Sequence, residues 1–101
     1  MKDIIRSDTF SNWLSSLRDR RARMRIAARI DRMAGGNSGD VEPVGEGISE
    51  ARIHYGPGYR LYFLQDGDTI IVLLCGGDKS THTRDIQQAK AIAHNWKDAH
   101  K

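Results

Sequence analysis

The sequence has few of the features that would decide a fold or a chemistry outright. It holds one cysteine, Cys75, in 101 residues, so no disulfide can close within the chain. Cys75 ends the most apolar stretch, where a thiol is expected as a small buried hydrophobe and not as a nucleophile. No apolar run approaches the roughly 20 residues that span a bilayer. The segment from Met1 to Phe10 lacks the apolar block of a signal peptide, so a cytoplasmic location is the expectation. His54, His82, His94 and His100 have no companion cysteines and no H-E-x-x-H spacing, and no zinc site is expected. A G-x-S-x-G elbow is missing as well. Gly76-Gly77-Asp78-Lys79-Ser80-Thr81 resembles a phosphate-binding loop in composition only. The G-x-x-x-x-G-K-[ST] spacing is absent, which argues against an NTPase. No cofactor and no metal are expected.

Positive charge is present and unevenly spread. The net charge is only +3, yet Arg18, Arg20, Arg21, Arg23, Arg25, Arg29 and Arg32 follow one another against Asp19 and Asp31 alone. A solvated helix face accounts for such a cluster as well as a polyanion site does. Arginine in place of lysine tilts the balance toward phosphate, because the guanidinium fork matches phosphate geometry. Arg20, Arg21, Arg23 and Arg25 are therefore candidates for substrate contact.

The length suits one domain, residues 1–101, with a single core. Ile4 and Ile5 suit a short edge strand. Asp8 or Thr9 is placed to cap a helix on which Phe10, Trp13, Leu14 and Leu17 share a face. A break near Arg18 to Arg20 leads to a second helix with Ala22, Ile26, Ile30 and Met33 on one stripe and most of the arginines opposite. Gly35-Gly36 stops it. Asn37 to Gly47 reads as a loop. The period then becomes two: Ala51, Ile53 and Tyr55 alternate with Glu50, Arg52 and His54, and Leu61 and Phe63 alternate with Arg60, Tyr62 and Leu64. Gly56-Pro57-Gly58 and Asp66-Gly67 are the turns of this meander. Thr69 to Cys75 reads as a central strand covered on both faces. Ser80 or Thr81 caps a last helix buried through Ile86, Ala89, Ala93 and Trp96, with a frayed tail beyond it. The fold class is α+β. If the first hairpin forms, Arg52, His54, Arg60 and Tyr62 become neighbours on one sheet face, although polar faces are ordinary on antiparallel sheets.

Ala51 to Phe63 resembles the strand–turn–strand signature of RelE/ParE-superfamily toxins, in the addiction-module killer (HigB-like) branch, whose pattern is E-x-R-x-x-x-G-x-G-Y-R-[IV]-Y-F. Glu50, Arg52, Gly56, Gly58, Tyr59, Arg60, Tyr62 and Phe63 fit it. Leu73 to Thr81 is similar to the same branch's L-L-x-G-G-D-K-x-T-Q motif, and Asp85, Ile86, Ala89 and Ala93 continue the match. His82 stands where the branch usually has glutamine. The resemblance covers nearly the whole chain. It implies two N-terminal helices packed on a small antiparallel sheet with a C-terminal helix. It also implies the toxin of a type II toxin–antitoxin system, paired with a helix-turn-helix antitoxin that can carry the complex to operator DNA.

RelE-like and HigB-like relatives cleave mRNA on the ribosome without a metal, whereas ParE-like ones inhibit DNA gyrase. An inactive antitoxin-binding remnant is the third reading. Metal-free RNA cleavage needs a base for the 2′-OH, a stabiliser of the phosphorane and an acid for the 5′-oxygen. Arg60, with Arg52 beside it, suits the phosphorane, because arginine stays cationic and grips two oxygens. His54 or Lys79 is the candidate base and His82 the candidate acid. Tyr55 and Tyr62 are candidates to stack on a nucleobase or hold the phosphate.

Overall fold

In the computed structural model, which describes residues 1–100, the elements run β1 (Asp3–Arg6), α1 (Asp8–Ser16), α2 (Arg20–Ala34), β2 (Val41–Gly45), β3 (Ile48–Ile53), β4 (Tyr59–Asp66), β5 (Ile70–Gly77) and α3 (His82–Ala99), with a 3-10 turn at Lys79–Thr81 before α3. The five strands form one sheet in the order β1-β5-β4-β3-β2. The architecture is α+β, as the sequence suggests, but the sheet is mixed. β2 to β5 pair antiparallel, while β1 lies parallel to β5, with Ile4 opposite Ile71 and Ile5 opposite Val72. No helix of the described residues is long and apolar enough to cross a membrane.

Local chemistry explains the helix limits. Ser7, one residue before the expected caps, accepts a hydrogen bond from the Phe10 amide and donates to the Leu74 carbonyl, so the start of α1 is tied to β5. Asp19 caps α2 by accepting from the Arg21 and Ala22 amides. Alanine, methionine and arginine, all good helix formers, fill much of α2. It stops at Gly35, and Gly36 continues with φ +96, a conformation that suits a residue without a Cβ. The polar C-terminal tail is helical to Ala99. There His100 stacks on Trp96 with ring centroids 3.5 Å apart, so the expected fraying does not begin at Trp96.

The expected loop from Asn37 to Gly47 contains β2. It pairs with β3 at the sheet edge through a register shift between Pro43 and Gly45. Proline is tolerated on an edge strand, where one ladder donor is dispensable. Val41 packs toward one sheet face and Val44 toward the other, as ordinary alternation places residues three apart.

Each face of the sheet carries its own apolar cluster. Phe10 of α1 and Ala22, Ile26, Ile30 and Met33 of α2 pack on Ala51, Ile53, Leu61, Phe63, Ile71 and Leu73. Ala89 and Ala93 of α3 pack on Ile48, Tyr62, Leu64, Val72, Leu74 and Cys75. Leu74 and Cys75 are consecutive yet share a face. The β4–β5 register shifts between Tyr62 and Phe63, which pair with Cys75 and Leu73 and leave Leu74 as the extra residue of a bulge. Burial pushes the Cys75 thiol up to about 12, which keeps it protonated and inert.

Past the bulge, Gly76 and Gly77 again face opposite sides. A Cβ on Gly76 would strike the Trp13 indole, and one on Gly77 would strike the Asp85 carboxylate. Absence of a side chain, not backbone freedom, is what these positions require. Gly76→Ala and Gly77→Ala are each expected to destabilise the fold by about 1–3 kcal/mol, the usual cost of overpacking. Urea denaturation measures this, and wild-type midpoints for both would contradict the packing.

Candidate functional site

α3 covers the second sheet face only as far as Tyr62, and beyond it that face turns polar. On β3, Ile48, Glu50 and Arg52 point the same way, and on β4, Arg60, Tyr62 and Leu64 do. Glu50 is opposite Tyr62, and Arg52 is opposite Arg60. Two arginines directly opposed across an antiparallel pair repel each other. Glu50 resolves the conflict. Its carboxylate is 2% exposed and receives Arg52 Nη2 at 3.2 Å on Oε1. Arg60 Nε lies 3.0 Å from Oε2, an ion-pair contact too bent to count as a hydrogen bond. The pairing with Glu50 holds the Arg52 guanidinium above its already high ordinary value.

His82, the first residue of α3, completes the cluster, with Nε2 3.0 Å from Glu50 Oε2. An ionised carboxylate only accepts, so Nε2 is the donor in this pair, and in the neutral ring the lone pair is then on Nδ1. Nδ1 has no hydrogen-bond partner among the described residues. The helix start is shaped to place this ring: Asp78 and Thr81 form a reciprocal capping box, and Thr81 also donates to the buried Asp85. Hydrogen bonds from the Ser80 hydroxyl and backbone hold the Asp78 carboxyl below the ordinary aspartate range.

A cleft of about 410 Å³ opens beside this cluster, lined by Arg52, Arg60, Lys79 and the His54-to-Tyr59 turn. Gly56 (φ +57) and Gly58 (φ +80) bend that turn back. Lys79 is exposed and has no ion pair among the described residues, and it also lines a shallower cavity with His82. The cleft thus offers two guanidiniums and an ammonium, with His54 in its lining and His82 in the adjoining cluster, an arrangement suited to a phosphate group. Among the described residues, no three His, Cys, Asp or Glu side chains are grouped to hold a metal ion.

The other sequence candidates separate. His54 follows the end of β3, is 78% exposed and holds Asp40 Oδ2 at 2.7 Å through Nε2. It stands at the rim of the cleft, apart from the Glu50 cluster. Tyr55 also lines the cleft. Its hydroxyl donates to Asp19 at 3.0 Å, and Arg25 lies over its ring at 4.6 Å. That hydrogen bond raises the Tyr55 hydroxyl and lowers the Asp19 carboxyl from their ordinary values.

Tyr62 does not fit its expected role. It is 0% exposed beneath α3, so it cannot stack on a nucleobase. Its hydroxyl has no hydrogen-bond partner among the described residues. Arg23 donates to the Leu17 carbonyl and braces the α1–α2 connection. Arg20, Arg21 and Arg25 are exposed. Arg29 turns inward, 5% exposed, and donates to the carbonyls of Ser38, Asp40 and Arg52 at 2.7–2.8 Å. Burial lowers its pKa from the ordinary arginine value.

Glu50 is the residue that sequence reasoning left without a role. Its place in the E-x-R spacing marks it, but only the register shows that its carboxylate faces two arginines. Glu50→Leu is expected to destabilise the chain by about 3 kcal/mol in urea denaturation. This is the low end for a broken buried pair, since both guanidiniums reach solvent. Unchanged stability would contradict the pairing.

The His54 contact makes a separate pH prediction. The hydrogen bond to His54 holds Asp40 below the ordinary aspartate value. Its contribution to stability is complete above the unfolded-state pKa and is lost as pH falls through the lower folded value. His54→Ala is expected to raise the Asp40 titration midpoint measured by carboxyl NMR. No change would show that the contact does not form in solution.

No family model matches the chain. Over 85 residues it is 51% identical to an uncharacterized protein of Haemophilus influenzae strain Rd, a match covering 84% of this chain and 86% of that protein. The chain belongs to the same family as that Haemophilus influenzae protein.

Proposed function

We propose that the chain is the toxin of a type II toxin–antitoxin pair, with a RelE/ParE-like fold, and that it cleaves mRNA on the ribosome without a metal. The observation that carries this reading is the cluster in which Glu50 gathers Arg52, Arg60 and His82 beside the Lys79 cleft. The motif resemblance across Glu50–Phe63 and Leu73–Ala93 supports it. Under this reading the partners are a helix-turn-helix antitoxin, which brings operator DNA, and the ribosome with its mRNA.

The chemistry follows from which atoms are free. His82 Nδ1 takes the proton of the 2′-OH, a base role in place of the acid role expected from the sequence. The 2′-oxygen then forms its bond to phosphorus. Arg60 and Arg52 hold the non-bridging oxygens as negative charge grows on them. The bond to the 5′-oxygen breaks, and Lys79 supplies its proton. Glu50 takes no part in the proton transfers and orients the other groups.

The test maps mRNA 5′ ends after induction. The wild-type chain is expected to produce new ends within coding regions. Arg60→Ala is expected to reduce cleavage by about 10²–10³-fold, by analogy with the loss of an oxyanion donor. Arg60→Lys keeps a charge near Glu50 but loses the fork, so it separates folding from chemistry. Intact mRNA together with gyrase-linked DNA breaks would overturn the reading in favour of gyrase inhibition. Intact mRNA without toxicity would favour an inactive antitoxin-binding remnant.

A further inference from the structure

A second groove, of about 450 Å³, runs between α2 and the end of β3. Arg25, Arg29 and Arg32 line it from the helix, and Arg52 and His54 from the strand side. Arg52, Ile53 and His54 also line the first cleft. The two cavities therefore share one stretch of chain, with Lys79, Arg60 and Arg52 lining the first and Arg52, Arg25, Arg29 and Arg32 lining the second.

The acids near this groove are already engaged. Asp40, the single carboxylate lining it, is bonded to His54. Arg29 donates to three carbonyl oxygens, which fix its guanidinium in place, so it adds positive charge to the groove from below. Arg25 and Arg32 are exposed and form no ion pair among the described residues. The Tyr55 ring supports the Arg25 guanidinium from beneath and limits its freedom.

We infer that this groove is a second binding site for a single-stranded nucleic acid, taking flanking phosphodiesters of the strand whose reacting phosphate occupies the first cleft. The inference deepens the nuclease reading and rests on it for the cleft end of the path. Charge complementarity identifies the occupant. Four guanidiniums and the His54 ring line the groove against one carboxylate, and among the described residues its only hydrophobic side chains are the small Ala28 and Ile53, which is 8% exposed. An acidic protein segment needs apolar anchors as well as charge, whereas a phosphodiester chain is held by cations at intervals. Arg25 and Arg32, seven positions apart on α2, project from one side of the helix two turns from each other and serve successive parts of one strand.

The test measures binding without cleavage. Fluorescence anisotropy follows a labelled 2′-O-methyl uridine decamer, which has no free 2′-OH to react, at salt concentrations spanning about 50–200 mM. The wild-type chain is expected to bind with a salt-dependent affinity. Arg25→Ala/Arg32→Ala is expected to weaken binding roughly tenfold at the lowest salt and to reduce the salt slope by about 1.4, near 0.7 per lost phosphate contact. Arg6→Ala removes a charge from β1, at the far edge of the sheet, and is expected to leave the affinity and slope unchanged.

Wild-type affinity in the double variant, equal losses in Arg6→Ala, or no binding by the wild-type chain would each overturn the groove assignment. An acidic decapeptide that binds through Arg25 and Arg32, where the decamer does not, would assign the groove to a protein partner instead. The two readings fail separately. A decamer that depends on Arg25 and Arg32, with no mRNA cleavage by the chain, removes the nuclease reading alone. Arg60-dependent cleavage with wild-type binding in the double variant removes the groove alone.

Discussion

A buried carboxylate between two opposed arginines is the constraint around which the polar end of the molecule is arranged. The β3–β4 register places Arg52 across from Arg60, an arrangement that is unfavourable unless an acid lies between them. Glu50, one alternation earlier on the same strand and 2% exposed, supplies it. A buried acid is itself costly without strong partners. The arginines and the carboxylate therefore depend on one another, and the strand register depends on both. His82 adds a third partner at the start of α3 and joins the helix to the sheet at that point.

The remainder of the fold positions this cluster. α1 and α2 occupy one sheet face and leave the other to α3, which covers only its apolar part. The bulge at Leu74 brings two consecutive side chains under α3. It also sets which side each glycine of Gly76-Gly77 faces, so Trp13 closes on one and Asp85 on the other. Asp85 receives the Thr81 hydroxyl, and Thr81 forms the capping box with Asp78. Core packing is thereby linked through a few short contacts to the orientation of a single imidazole.

Much of this was legible where a residue's role depends on local pattern. The 3.6-residue stripe Ala22, Ile26, Ile30 and Met33 is buried, and the Gly56-Pro57-Gly58 turn lies between β3 and β4. Features set by distant partners were not legible. The parallel pairing of β1 leaves no turn signal, because its partner is the last strand in the chain. β2 was hidden by its proline and its glycine, which weaken a strand on propensity but are accommodated at a bulged edge. Alternation placed Tyr62 on the polar face correctly, but α3 lies over that part of the face and buries the ring. Arg29 and Arg23 lie within a charge cluster that reads as one surface, yet both direct their guanidiniums to backbone carbonyls. In the candidate site, Arg52, Arg60 and Lys79 come together as expected, while His54 pairs with Asp40 at the rim. Glu50 acquires its importance only from the cross-strand register.

The contact with Glu50 gives neutral His82 a defined tautomer: Nε2 donates to the carboxylate, and Nδ1 is left to accept a proton. Long-range nitrogen–proton NMR correlations of the histidine ring report that state directly. The geometry predicts that neutral His82 is the Nε2–H tautomer in the wild-type chain, with a downfield, slowly exchanging Nε2 proton that loses both properties in Glu50→Leu. A wild-type His82 that carries its proton on Nδ1, or an Nε2 proton unaffected by the loss of Glu50, would contradict the cluster on which the proposed chemistry depends.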